Sequence, residues 1–129
     1  MSDRRRLPTG GLGDWVDDLA RAGVGAVQLR EKDLGTAELL DLALDARRRL
    51  GDSGLLLVNG RADVAVAASA AGVHLPTSGL PVVALRRRLG EGFLIGRSTH
   101  TLEEVEAAAL AGADYVTFGP VYPTPSKLR

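Results

Sequence analysis

An α/β fold on a parallel sheet is predicted for this chain, and three observations predict it. Apolar strand-like runs alternate with helical segments along the 129 residues, read as a single domain over 1–129. The connections are short, which favours right-handed crossovers between parallel neighbours. Polar side chains gather just beyond the C-terminal end of every strand. In an open doubly wound sheet only the strands at the switch point feed a site. Here five strands do. That pattern belongs to a (β/α)₈ barrel, whose site is built from its βα loops, and five units make it an incomplete one.

Taken in order, helices are read over 12–22, 36–50, 61–70, 81–89 and 101–111, and strands over 24–29, 55–59, 72–75, 93–97 and 114–118. Three segments look alike: Ala20–Leu29, Ala68–Leu75 and Ala109–Phe118 each leave a helical pattern through glycine (Gly23, Gly72, Gly112) and enter an apolar run. Glycine suits that place because it adopts the left-handed conformation that closes a helix. Leu39, Ala43, Ala46 and Leu50 form an amphipathic stripe at helical spacing. Thr101-Leu-Glu-Glu104 reads as a capping box, with Leu102, Val105 and Ala109 on the apolar face behind it. Pro81 fits a helix's first turn. Leu55-Leu56-Leu57-Val58 is continuous enough to be buried on both faces.

Composition excludes several classes of function. Sixteen basic and sixteen acidic side chains cancel, so no global field favours nucleic acid or anionic lipid. Arg47–Arg49 and Arg86–Arg88 fall in helical segments and read as solvated faces. With no cysteine there is no disulfide, thiolate metal site or thiol catalysis. No apolar stretch approaches the ~20 residues of a membrane span, and no signal core is visible, so a cytoplasmic protein is expected.

The chemistry-bearing residues follow the strands: Gln28, Arg30 and Lys32, then Asn59, His74, and then Ser98, Thr99 and His100. Last comes the run Gly119–Lys127, whose prolines stiffen a loop carrying Thr124, Ser126 and Lys127. Hydroxyls, ammonium and guanidinium are donors for a phosphate or carboxylate. Each residue also has a plainer reading. Arg30 and Lys32 are equally readable as surface charges, Asn59 as a strand terminator, His74 as a core histidine and His100 as a loop exit. The 124–127 run is readable as a solvated turn. Glu31 and Asp33 are expected to partner nearby cations rather than act as acids, and Trp15 to pack its helix.

Five motifs occur in order: Val27-Gln-Leu-Arg-Glu-Lys-Asp33, Asn59-Gly-Arg61, Gly72-Val-His-Leu75, Gly96-Arg-Ser-Thr-His100 and Phe118–Lys127. Together they resemble the thiamine phosphate synthase and TenI-type thiazole tautomerase superfamily of TIM barrels, from about Asp3 to Lys127. The resemblance implies that a synthase holds Mg²⁺ on two aspartates, at positions that here are Gly60 and the Pro76-Thr-Ser-Gly79 loop. Mg²⁺ needs hard anionic oxygens. A metal-free, TenI-like thiazole tautomerase of thiamine biosynthesis is therefore expected. His100 would shuttle the proton, as histidine can near neutral pH. Gln28, Arg30, Lys32, Asn59, His74, Ser98, Thr99, Thr124, Ser126 and Lys127 would contact a small-molecule thiazole phosphate.

Two alternatives stay open: a thiamine phosphate synthase, the only reading that calls for Mg²⁺, and a non-catalytic module that binds the thiazole phosphate. No other cofactor, nucleic acid or membrane is expected, and homo-oligomer formation is left open. The resemblance also implies that the family's first strand and last two βα units lie outside these residues. Truncation or omission of part of a longer protein is the expected explanation, which leaves enzymatic activity itself open.

Overall fold

The computed structural model describes residues 1–7 and 11–122. The chain divides into two compact units, Met1–His74 and Leu75–Arg129. In the first unit the order is α1 (Gly11–Arg21), β1 (Ala26–Leu29), α2 (Thr36–Leu50), β2 (Leu55–Asn59), α3 (Ala62–Ala67) and β3 (Gly72–Leu75, its last residue opening the second unit). Short 3₁₀ turns occupy Arg4–Arg6 and Gly51–Ser53.

Strands β1, β2 and β3 pair in parallel, with Leu29 beside Val58, Gln28 beside Leu57, Val58 beside Val73 and Asn59 beside His74. Residues paired in a parallel ladder share a face, and the face alternates along each strand. One face therefore carries Val27, Leu29, Leu56, Val58 and Val73, all buried, and α2 and α3 pack against β2. The α2 stripe Leu39, Ala43, Ala46 and Leu50 is buried as its spacing predicts. Each fully buried leucine or valine here is worth about 1.5–3 kcal/mol of transfer free energy. The opposite face carries Gln28, Leu57, Asn59 and His74.

Helix ends follow the glycine rule at two of the three predicted places. After α1, the N–H of Gly23 reaches the Ala20 carbonyl and that of Val24 the Leu19 carbonyl, with Gly23 at φ +76°. These paired bonds close the last turn. Gly112 repeats the arrangement in the second unit, through Ala109 and Ala108. The middle segment differs. Helix α3 stops earlier, and Ser69, at φ +50°, takes the left-handed position, while Ala70 reaches the Ala65 carbonyl. Gly72 is instead a strand residue opposite Leu57.

The second unit contains α4 (Val82–Leu89), β4 (Leu94–Thr99), α5 (Leu102–Leu110) and β5 (Tyr115–Phe118). Strands β4 and β5 are parallel, with Gly96 opposite Tyr115 and Ser98 opposite Thr117. Strand β4 runs two residues further than its apolar pattern indicates, because Ser98 and Thr99 continue the ladder. Helix α5 also presents another face than expected. Ala108 is buried, whereas Leu102 is 70% and Leu110 90% exposed. An alanine-rich helix offers several apolar faces, so periodicity could not choose among them.

Arg86 is not part of a solvated face. Its guanidinium, with the side chain only 10% exposed, donates to the carbonyls of Gly90, Phe93 and Gly112 and pairs with Asp114 at 2.6 Å. Asp114 in turn accepts the Ile95 N–H at 2.7 Å. This one side chain ties the end of α4 to the entry of β5.

Gly96 has a steric reason. A Cβ there would lie 2.1 Å from Cζ of Tyr115. Gly96→Ala should cost about 1–3 kcal/mol, the usual range for overpacking, in urea unfolding. In a Tyr115→Ala background the same change should cost close to nothing. Equal costs in both backgrounds would show that the ring does not set the constraint.

Candidate functional site

At the C-terminal end of β1 the charges are sorted by partner. Glu31, 6% exposed, accepts the Ser2 hydroxyl at 2.7 Å, the Arg4 N–H at 3.1 Å and the Arg4 guanidinium at 3.1 Å. Arg4 also grips Asp33 through both nitrogens, at 2.7 and 2.6 Å, and Arg5 adds a third contact at 2.9 Å. The Arg4 guanidinium holds the Asp33 carboxyl far below the usual carboxylate range. Both acids are thus structural partners of cations, as the sequence indicates. Among the described residues, the side chains of Arg30 and Lys32 have no hydrogen-bond or ion-pair partner. Arg30 is half-buried, its N–H held by Ser2 Oγ at 2.9 Å, and Lys32 is exposed. Two cations remain uncompensated, alternating with two neutralised acids.

Register brings Gln28, Asn59 and His74 onto one face of the first unit's sheet. The Asn59 amide donates to Gln28 Oε1 at 3.3 Å, leaving the Gln28 amide nitrogen for another acceptor. His74 is 3% exposed, and its carbonyl accepts the Gly60 N–H at 2.8 Å. It is a packed histidine in the strand ladder.

In the second unit, Ser98 and Thr99 point to opposite sides of β4 by alternation. Thr99, 1% exposed, donates its hydroxyl to the Thr117 carbonyl at 3.2 Å. Ser98 Oγ accepts from the Thr117 hydroxyl at 3.5 Å. His100 follows the strand, with Nε2 3.1 Å from Thr77 Oγ1 and Nδ1 against the Gly119 carbonyl. Its N–H donates to Glu104 Oε2 at 2.6 Å, while the Glu104 N–H donates to Thr101 Oγ1 at 3.2 Å. The expected capping box is therefore half formed, since Glu104 reaches one residue further back. Arg97 holds the Thr77 and Leu80 carbonyls, at 2.7 and 3.1 Å. A cavity of about 360 Å³ lies among Thr77, Val82, Arg97, Thr99, Glu104 and Ala108. Thr124, Ser126 and Lys127 lie outside the described residues.

The family model described as thiamine monophosphate synthase matches residues 2–129. The chain belongs to this family. The thiamine-phosphate synthases of Streptomyces avermitilis and Acidothermus cellulolyticus are 47% and 45% identical over 98% of the chain. The solved structure of thiamine phosphate pyrophosphorylase from Pyrococcus furiosus superposes with a TM-score of 0.84 at 32% identity over 95% of the chain. The chain spans 59%, 60% and 59% of the lengths of these three proteins.

The expectation of a TenI-like tautomerase is overturned by these relatives, which carry the synthase's name across nearly the whole chain. That expectation gave two loop positions more weight than the rest of the sequence. The positions themselves do not fit a metal. Gly60 stands at φ +72°, and Gly79 closes a turn by donating to the Pro76 carbonyl at 2.7 Å. A Cβ on Gly79 would fall 2.9 Å from that same oxygen. Among the described residues, no three histidine, aspartate or glutamate side chains cluster as metal ligands. Among them too, no helix is long and apolar enough to cross a membrane.

Sequence reasoning missed the Ser2–Arg4 clamp and the Thr77 and Gly119 partners of His100. The signal available for Thr77 was its place directly after a strand, the criterion that selected the other residues.

Burial holds the His74 imidazole below its ordinary range. The native state therefore declines a proton that the unfolded chain accepts near pH 6.5. The unfolded state binds more protons there, so stability falls as the pH drops through ~6.5 and levels off once the native imidazole also protonates. Urea unfolding across that window should show a flatter profile for His74→Gln than for the unmodified protein. Superimposable profiles would remove His74 as the source.

Proposed function

We propose that this chain carries a substrate-binding portion of a thiamine-phosphate synthase, which joins a pyrimidine methyl diphosphate to a thiazole phosphate. The family match over residues 2–129 and the synthase relatives support this reading. The likeness to the Pyrococcus furiosus enzyme supports taking the βα units as an arc of a (β/α)₈ barrel. The observation that carries the reading is the uncompensated Arg30–Lys32 pair beside neutralised Glu31 and Asp33. A guanidinium and an ammonium two residues apart suit a polyanion, the first by its bidentate fork and the second as a point charge.

The coupling needs little from the protein beyond placement and charge. The thiazole nitrogen lone pair attacks the exocyclic methylene of the pyrimidine. The carbon–oxygen bond to the diphosphate breaks, and its electron pair leaves with pyrophosphate. The nitrogen becomes a quaternary thiazolium, and no proton moves at the reacting atoms. A histidine proton shuttle is not required. Arg30 and Lys32 stabilise the charge gathering on the departing diphosphate. Gln28 and Asn59 offer amide groups to a heterocycle edge, and the Thr124, Ser126 and Lys127 side chains are donors of a kind suited to phosphate. No step is assigned to a metal, since Gly60 and Gly79 provide no carboxylate.

Those two glycines favour a second reading, a family member that binds the phosphates without joining them. Mixing the purified protein with both substrates should yield thiamine phosphate and one equivalent of pyrophosphate. Arg30→Ala should lower kcat/KM by roughly 10²-fold, as loss of one preorganised charge does elsewhere. Binding of both substrates without product would establish the second reading, and neither binding nor product would reject both.

A further inference from the structure

We propose that His100 is a positioning residue that staples two loops of the second unit, the one carrying Thr77 and the one opening at Gly119, with its imidazole locked as the Nδ1–H tautomer. The assignment follows from what each partner can do. The Gly119 carbonyl only accepts, so Nδ1 carries the proton. Nε2 is then a lone-pair acceptor, and the single Thr77 hydroxyl proton is assigned to it at 3.1 Å in preference to the more distant Ser98 carbonyl at 3.4 Å. Both ring nitrogens are used inside the protein. A proton shuttle needs one of them within reach of the substrate.

Surrounding contacts fix the staple at its base. Glu104 holds the His100 N–H at 2.6 Å, and Arg97 holds the Thr77 and Leu80 carbonyls. The Gly119 N–H donates to the Thr99 carbonyl at 3.1 Å. Gly119 is thus gripped on both backbone groups, at the point where the chain leaves β5. The functional side of the inference rests on the synthase reading, in which the segment after Gly119 contacts substrate phosphate. The staple sets where that segment starts.

Nitrogen-15 NMR of the imidazoles tests the tautomer without any ligand. The chain has two histidines, and His74→Gln identifies which signals belong to His100. A protonated Nδ1 beside a bare Nε2 is expected, and Thr77→Val should shift Nε2 while leaving Nδ1–H in place. An Nε2–H tautomer, or an imidazolium at neutral pH, would overturn the proposal. Two substitutions then separate the two bonds. Asparagine keeps a donor near the Nδ1 position, and glutamine keeps an acceptor near Nε2. With inorganic pyrophosphate as the probe, His100→Asn should bind within about threefold of the unmodified protein and His100→Gln about tenfold more weakly, a loss of ~1.4 kcal/mol. Equal weakening by both would reject positioning through Gly119. If the tautomer is as stated but pyrophosphate fails to bind even the unmodified protein, the synthase reading fails and the staple stands.

Discussion

The parallel register of β1, β2 and β3 decides which side chains of the first unit face the helices and which lie on the opposite face. Because faces alternate residue by residue, a slip of one position would turn Val27, Leu29, Leu56 and Val58 away from the helices and bury Gln28 and Asn59 in their place. Burying an unpaired amide costs about 1–3 kcal/mol in proteins, and each displaced aliphatic side chain forfeits a similar amount. Both penalties have the same sign, so the register is strongly specified. The polar residues at the strand ends are held in place by the apolar ones beside them.

The two units manage their polar ends differently. In the first, charge is sorted: Arg4 crosses from the N-terminal segment to neutralise Glu31 and Asp33, and the alternating Arg30 and Lys32 are left without an acidic partner. The carboxylates would otherwise pair with those cations, and the strand end would present no net field. Holding Asp33 ionised to low pH keeps this sorting intact across the neutral range. In the second unit, backbone carbonyls are the currency. Arg97 uses its guanidinium on main-chain oxygens, Arg86 does so while also pairing with Asp114, and His100 uses Nδ1 in the same way. Loops carry unpaired carbonyls, and cations that cap them hold shape without supplying charge to a ligand.

Much of this was legible in the sequence, and the part that was not has a common cause. Alternation of apolar runs gave all five strands, and Gly23 and Gly112 gave two helix ends, because those signals are local. Gly72 was misleading because it satisfies a strand position as readily as a cap, and only the ladder to Leu57 decides between them. The α5 face was unreadable because three alanines in a row leave the apolar stripe undefined. Arg4 lies 27 residues from Glu31, Gly119 19 from His100 and Asp114 28 from Arg86, beyond any spacing rule. Residue type gave each group its chemistry, and topology gave it a partner.

The tautomerase expectation failed for a related reason. It treated position 60 and position 79 as metal ligands present or lost, as though the charge opposite a diphosphate had one possible source. A diphosphate can also be met by fixed cations. An uncompensated guanidinium next to a lysine lowers the energy of a departing pyrophosphate without a metal between them, and the gain grows as water is excluded. Arg30 has no acidic partner, whereas Arg61, equally half-buried, is paired with Asp63. Whether a strand end recruits an anion depends on the cations left over after internal pairing. By that count the loop after β1 carries two, and the glycines at 60 and 79 do not by themselves separate the chain from the synthase's family.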